Sequence, residues 1–229
     1  MSLNKLRRDV WEANLGIYRA GLVTMHSGNA SGIDRTLGVI AIKPSGMDYE
    51  KMRPADMVVT DLEGRIVAGR WKPSVDLPHH LYIYRYRPEV GGVIHTHSNY
   101  ATSFAALGRA IPAYLTAIAD EFGGEIPCAP YVDNQGDNIG RIILENIGQS
   151  PAVLLAHHGA FAIGKSPREA LKAAVMLEDV ARTCHLALLK GDPKPLHADE
   201  VRKWYDRYRT TYGQPAAAAT AAKKGPSKR

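Results

Sequence analysis

Two histidines separated by a single residue lie in the segment GGVIHTHS (91–98). Side chains of an extended strand alternate between its two faces, so His95 and His97 are expected on one face, about 7 Å apart. Imidazole nitrogens are common ligands of divalent metals, and one ion could bind between these rings. The pair alone leaves the question open, because two histidines in a strand are more often structural or exposed.

Other residues strengthen the metal interpretation. A second histidine pair, His157 and His158, stands beside a glycine at the end of another apolar run, and Asp76 precedes a predicted helix. Catalytic zinc sites use three protein ligands and leave one position open. Three imidazoles with one carboxylate nearby would fit that pattern, without any need for cysteine.

Three loops could bind an anion. The segments SGNAS (27–31) and KPSG (43–46) place small residues and hydroxyls where backbone N–H groups can converge on a phosphate. Lys43 adds a charge, Ser45 a hydroxyl donor, and Ser74 precedes a helix N-terminus, which also favours anions. Each loop by itself is more typical of an ordinary turn. The motif GxGxxG is absent, which argues against a dinucleotide site, and GAFAIGKS (159–166), which has the letters of GxxxxGK[ST], is predicted to be an apolar strand and not a glycine-rich loop.

Charge and composition exclude several classes of protein. The net charge is +6, but the last fifteen residues contain four basic residues and no acid, so the remainder carries 6 − 4 = +2. We therefore expect no nucleic-acid partner, and we predict that the Ala/Lys-rich tail 215–229 is disordered. Residues 1–16 show no signal peptide and no apolar run approaches the ~18 residues of a membrane helix, so we expect a cytoplasmic protein without membrane contact. Cys128 and Cys184 are expected to be reduced thiols.

Apolar periodicity predicts the elements that must position these residues. Helices are expected at about 3–20, from residue 78, at 99–107, 136–148 and 166–191, and over EVRKWYDRYR (200–209). Strands are expected at 37–42, 57–61, 65–69, 91–98, 113–119, 124–131 and on both sides of HHG, whereas SGNASG (27–32) is expected to be a loop. Hairpins mixed with helical crossovers predict one sheet that is not purely parallel and is covered on both faces by helices.

Seven segments together carry a resemblance to a known family. GNAS (28–31), IKPSG (42–46), PSVD (73–76), GGVIHTHS (91–98), IADEFGGEIPC (118–128), HHGAFAIG (157–164) and YGQ (212–214) occur in the order and spacing of the class II aldolase/adducin family. Within it the chain looks most like the L-ribulose-5-phosphate 4-epimerase branch, over a catalytic domain of residues 1–214. The resemblance implies a three-layer α/β/α sandwich around a mainly antiparallel sheet. It also implies a homotetramer with active sites between subunits, and a role in sugar catabolism such as that of arabinose.

The same resemblance implies roles for individual residues. Zn²⁺, or another divalent ion, would be bound by Asp76, His95, His97 and His158. A phosphorylated ketose would be bound by Gly28, Asn29, Lys43, Ser45, Gly46, Ser74, Val75 and Thr116. Asp120 and Tyr212 match the acid/base pair of the epimerases, with the tyrosine supplied by the adjacent subunit, and Asp76 would also act in catalysis.

Two activities of the family remain open. The first is epimerisation of L-ribulose 5-phosphate to D-xylulose 5-phosphate by cleavage and re-formation of C3–C4. The alternative is cleavage of a ketose 1-phosphate, such as L-fuculose 1-phosphate, to dihydroxyacetone phosphate and an aldehyde. Such aldolases carry glutamate at the position of Asp76 and tyrosine at that of Thr116, and they lack the acid of Asp120, so these positions favour the epimerase.

Other features of the chain resemble the aldolases or depart from the epimerases. IPCAPY (126–131) and the paired histidines of HHG are closer to the aldolase versions. Val75 replaces a serine that is usual in the epimerase phosphate loop, and the histidine and arginine that accompany the epimerase tyrosine are not found near Tyr212. A third possibility, a metal-free interaction module like the adducin branch, predicts loss of the histidine ligands, yet all of them are present.

Overall fold

The computed structural model describes residues 2–213; the predicted tail 215–229 lies outside them, and its disorder stays a prediction. The helices are α1 (Leu3–Arg19), α2 (Leu77–Tyr86), α3 (Asn99–Ala106), α4 (Thr116–Phe122), α5 (Asn138–Asn146), α6 (Pro167–Leu188) and α7 (Ala198–Thr210). The strands are β1 (Asn29–Asp34), β2 (Val39–Ile42), β3 (Val58–Asp61), β4 (Ile66–Ala68), β5 (Gly92–Thr96), β6 (Cys128–Ala129), β7 (Ala152–Leu155) and β8 (Gly159–Gly164). Within the described range, every helix is too short or too polar to cross a bilayer.

The strands form a single eight-stranded sheet in the order β4-β3-β2-β1-β5-β8-β7-β6. Its pairs are antiparallel except β6 with β7. Helices α1, α3, α4, α6 and α7 share the core on one face, and α2 and α5 share the core on the other. The three-layer α/β/α sandwich around a mainly antiparallel sheet is therefore confirmed.

Strand residues alternate between the two cores. In β5, Val93 packs towards α2 and α5 whereas Ile94 packs towards α1 and α6, and both are fully buried. In β7, Val153 and Leu154 divide in the same way. Because both faces are covered, the central strands are apolar at successive positions, and a polar side chain there needs a partner or a function.

The prediction of a strand at 113–119 is wrong. This segment begins as extended chain and becomes α4 at Thr116. A short apolar run has no decisive period, so it fits a strand as well as one or two helical turns. Gly123, whose φ of 71° gives the helix a left-handed C-cap, is the signal in the sequence that favours a helix ending there.

The prediction of a loop at 27–32 is also wrong, because β1 begins at Asn29 and lies between β2 and β5. Its small residues allow close packing of two helices over the sheet. A β-carbon placed on Gly32 would lie 2.7 Å from Pro167 Cγ and 2.9 Å from Val10 Cγ2. Composition typical of a turn therefore reflects close packing here, as a glycine in a strand often does.

Candidate metal centre and active site

The segments that carry the candidate functional residues meet at one end of the central strands. Asn29 begins β1 and pairs with His95 near the end of β5, while His158 stands just before β8. The loop after β2 and the N-terminus of α2 reach the same end of the sheet, where a β-bridge joins Pro44 to Pro73. The neighbouring positions of β2, β1, β5 and β8 in the sheet bring together residues that are far apart in the sequence.

His95, His97 and His158 form a cluster that could hold a metal ion. One ring nitrogen from each lies within 4.8 Å of the other two. The ring centroids are 4.6 Å apart for His95 and His97, 4.9 Å for His95 and His158, and 5.2 Å for His97 and His158. Two nitrogens on one zinc ion lie at most about 4 Å apart, so small ring rotations would suffice and the residues fit the group.

The orientation of the His95 ring is fixed by its surroundings. Its Nδ1 is 3.0 Å from the Ala160 carbonyl oxygen, and its face stacks on Phe161 with centroids 4.4 Å apart. When Nδ1–H donates to a carbonyl, Nε2 is left unprotonated and free to bind a cation. This backbone contact is the usual outer support of a metal-binding histidine.

The three imidazoles have lowered pKa values. Burial lowers the pKa of His95 to about 3, with a partly opposing effect of the Asp76 carboxylate. Burial also lowers the pKa values of His97 and His158. At neutral pH the rings are therefore uncharged, which is the form that binds metals.

Asp76 supplies a carboxylate beside the histidines, at the N-cap of α2. Burial raises its pKa, but the nearby His95 and His80 and a hydrogen bond from Asn29 outweigh this effect, so that the pKa lies below its usual value. Asn29 Nδ2 donates to Asp76 Oδ2 at 2.5 Å and to Ser74 Oγ at 3.1 Å. The carboxylate is thus ionised and held in place at neutral pH.

A cavity of about 240 Å³ contains the cluster and the anion loops. Eleven of the predicted site residues line it: Gly28, Asn29, Lys43, Ser45, Gly46, Ser74, Val75, Asp76, His95, His97 and His158. Ser27 and Pro44, which fall within the predicted anion loops, also line it, and the sequence reasoning missed two lining residues, His26 and Asn134. His26 directly precedes the SGNAS segment, which was the available signal, whereas nothing in the polar loop DNQGDN (133–138) singles out Asn134.

The loops on the anion side are suited to a phosphate. Gly28 has φ 71°, and a β-carbon there would lie 2.8 Å from the His95 carbonyl oxygen, so glycine is required. Gly46 has φ 64°. The N–H groups of Ser45 and Ser74 donate to Lys72 and Lys43 carbonyls at 2.9 Å each, which joins the two loops.

Lys43 stabilises these loops through contacts of its buried side chain. It is buried, and its Nζ donates to the His26 carbonyl oxygen at 3.0 Å and lies 4.8 Å from the centre of the Tyr49 ring. Burial lowers its pKa to about 8, so that most of the lysine is charged at neutral pH. Because Lys43 lines the cavity, its positive charge favours an anion there.

Three predicted site residues lie elsewhere on the chain: Thr116, Asp120 and Tyr212. Thr116 is exposed at the start of α4, and Asp120 lines a separate cavity together with Gly164 and Tyr208. Tyr212 follows α7, is 62% exposed, and stacks on Tyr208 with centroids 4.8 Å apart. His158 precedes the first residue of β8 and Gly164 is its last, so the two cavities lie at opposite ends of that strand, about 17 Å apart.

Gly159 packs tightly against the metal cluster, and a substitution there provides a test of that packing. A β-carbon at this position would lie 2.5 Å from the Thr96 carbonyl oxygen and 2.6 Å from His97 Cδ2. We expect Gly159→Ala to displace the His97 ring and weaken zinc binding about 10- to 100-fold, as when the support of a ligand is lost. Competition with a chromophoric chelator measures this. Gly191→Ala is the control, since its β-carbon would meet nothing within 4 Å, and equal zinc affinity of the two variants would contradict the packing argument.

Comparisons with known proteins agree with this arrangement. The chain is 44% identical over 196 residues to the L-ribulose-5-phosphate 4-epimerase UlaF of Salmonella paratyphi B, which covers 81% of this chain and 86% of the relative. A solved L-fuculose 1-phosphate aldolase matches with a TM-score of 0.84 and 27% identity, over 90% of this chain and 96% of the other.

A second solved structure, the L-fuculose-1-phosphate aldolase of Thermus thermophilus, matches with a TM-score of 0.65 and 25% identity, over 82% of this chain and 97% of the other. The family model "Class II Aldolase and Adducin N-terminal domain" matches residues 8–185, which include the metal cluster, Asp76 and the anion loops. The chain therefore belongs to the class II aldolase and adducin family.

Proposed function

We propose that this protein is a divalent-metal-dependent 4-epimerase that interconverts L-ribulose 5-phosphate and D-xylulose 5-phosphate. The observation that carries the proposal is the cavity that combines three neutral imidazoles, an ionised carboxylate and glycine- and serine-rich anion loops. The relative at 44% identity, named as an L-ribulose-5-phosphate 4-epimerase, supports this substrate over others. The reaction takes place in one cavity, with the sugar carbons near the histidines and the phosphate near the loops.

His95, His97 and His158 would bind Zn²⁺ or another divalent ion, with Asp76 as the carboxylate at the metal. When bound, the ion supplies Lewis-acid stabilisation for negative charge that develops on the sugar oxygens. Asn29 holds Asp76 ionised beside this position. Gly28, Asn29, Ser45, Gly46, Ser74 and Val75 would surround the phosphate.

The position of the inverted carbon determines the type of reaction. C4 of ribulose 5-phosphate is not adjacent to the C2 carbonyl, so a carbanion formed by removing its hydrogen would not be stabilised. Loss of the proton from the C4 hydroxyl allows C3–C4 to break instead, with the electron pair passing to C3 and the carbonyl as an enediolate. The other fragment, glycolaldehyde phosphate, rotates, and C3 attacks its opposite face. The C4 oxygen then takes a proton back.

This scheme needs a proton acceptor and donor on both sides of the C4 oxygen. We propose that Asp120 and Tyr212 of a neighbouring subunit supply them in a homotetramer with active sites between subunits. Within one chain the cavity that Asp120 lines is about 17 Å from the histidine cluster, beyond the reach of its side chain. Delivery in trans is supported by the surface cavity that Asp120 lines with Tyr208 and by the 62% exposure of Tyr212, because both positions are open to a neighbouring subunit.

The competing activity is aldol cleavage of a ketose 1-phosphate, favoured by the TM-score of 0.84 to an L-fuculose 1-phosphate aldolase. The zinc-loaded protein should be assayed with both substrates. We expect a much larger kcat/KM for formation of D-xylulose 5-phosphate from L-ribulose 5-phosphate than for release of dihydroxyacetone phosphate from L-fuculose 1-phosphate. The reverse ranking would establish the aldolase instead.

A further inference from the structure

His26 is the feature of the cavity that neither the metal cluster nor the anion loops explain. It lines the cavity beside Ser27 and Gly28, and its side chain is 42% exposed. Its Nδ1 lies 3.0 Å from Asp48 Oδ1. A carboxylate at Nδ1 orients the ring of a histidine and favours its charged form, in which Nδ1–H donates to the carboxylate and Nε2–H is a donor to a ligand.

The loop that carries His26 is firmly held. Tyr49 Oη donates to the Ser27 and Gly28 carbonyl oxygens at 2.9 Å each, and Ser27 Oγ donates to the Thr24 carbonyl oxygen at 2.8 Å. Lys43 Nζ donates to the carbonyl oxygen of His26 itself. The ring is therefore presented from a fixed backbone, which reduces the entropic cost of a contact with a ligand.

A phosphate dianion in this cavity needs positive charge. Outside the metal cluster, His26 and Lys43 are the lining residues of the described chain that carry a titratable side-chain nitrogen. The ammonium of Lys43 is buried and already donates to backbone carbonyl groups. His26 faces Asp48, whose other oxygen is 2.5 Å from Lys51 Nζ, so that the acid is shared and its charge partly neutralised.

We propose that His26, oriented by Asp48, donates its Nε2–H to the phosphate of the substrate and makes the enzyme selective for phosphorylated ketoses. This inference rests on the proposed function for its substrate, but the contact itself concerns only a phosphate group. Hydrogen bonds from a charged or polarised donor to phosphate are among the stronger ones available to a protein. The histidine thus adds the exposed donor that Lys43 cannot provide.

Steady-state kinetics provide the first test. We expect His26→Gln to raise KM for L-ribulose 5-phosphate about tenfold with little change in kcat, the pattern for loss of a contact made equally in ground and transition states. Activity with unphosphorylated L-ribulose should not change. Met25→Gln is the matched control, because Met25 is exposed in the same loop and does not line the cavity. An unchanged KM, or equal losses with both sugars, would overturn the proposal.

The second test needs no turnover and so separates this proposal from the proposed function. The intact protein is isotopically labelled in its histidines. NMR then measures the pKa of His26 with and without inorganic phosphate. A nearby anion favours the charged imidazolium, so phosphate should raise the pKa of His26 in the wild type and in Met25→Gln. Asp48→Asn should weaken the phosphate dependence. A pKa of His26 that is the same with and without phosphate would refute the contact, whatever the sugar substrate is.

Discussion

Replacement of His97 by alanine should abolish both metal binding and turnover. His97 provides one of three clustered ring nitrogens, and its loss leaves two imidazoles and the Asp76 carboxylate, one ligand fewer than the proposed set. We expect zinc affinity to fall by more than about 100-fold, because loss of a ligand exceeds the effect of losing its outer support. Metal content after dialysis, measured by mass spectrometry, and kcat measured on the same sample report the two effects.

The control for this substitution is the histidine next to the third ligand. His157 lies in the turn before β8, with φ 59°, and it is not part of the cluster. His157→Asn keeps a residue that tolerates this conformation, so it should retain one zinc per chain. Because His97 is exposed, its loss should leave the circular dichroism spectrum unchanged. Stoichiometric zinc in His97→Ala would show that the ligand assignment is wrong.

Complementation between inactive subunits should restore activity if the site is shared. In the proposed shared site, His97→Ala removes the metal half and Asp120→Asn removes the acid/base half, so each variant alone should be nearly inactive. In a hybrid, an intact metal half of one subunit meets an intact acid/base half of its neighbour. Random one-to-one mixing of subunits should regenerate about a quarter of the sites, since each half is intact with a probability of about one half.

The control for complementation combines two defects in the same half. Hybrids of His97→Ala with His95→Ala contain no intact metal half and should remain inactive after the same unfolding and refolding. Formation of mixed tetramers is verified by native mass spectrometry. Verified hybrids of His97→Ala and Asp120→Asn that stay inactive would contradict a site shared between subunits, as would full activity of Asp120→Asn alone.

Much of the fold and the metal half could be predicted because their signals are local. Alternation along β5 placed His95 and His97 on one face, and their rings lie 4.6 Å apart. The N-cap, proline and acid at the start of α6 predicted its first turn, and Ser166 Oγ accepts from the Glu169 N–H at 3.2 Å. The choice of His158 over His157 depended on the family pattern, because two adjacent histidines in a turn cannot be told apart by periodicity.

The remaining features depend on packing that a sequence does not display. The small residues of β1 are required by helices that cross the sheet at Gly32. A turn has the same composition, so composition alone does not distinguish the two. His26 lies at the cavity because Tyr49 holds the neighbouring loop in place, and no sequence motif marks this histidine. The cavity that Asp120 lines and the histidine cluster lie at opposite ends of β8, and the proposed pairing across subunits has no signature in either segment.

The most direct measurement is a proton NMR spectrum of L-ribulose 5-phosphate incubated with the zinc-loaded protein in D₂O. Cleavage of C3–C4 breaks no carbon–hydrogen bond at C4. The proposed reaction therefore predicts D-xylulose 5-phosphate that retains its hydrogen at C4. Absence of D-xylulose 5-phosphate, or its formation with deuterium at C4, would contradict epimerisation by carbon–carbon cleavage.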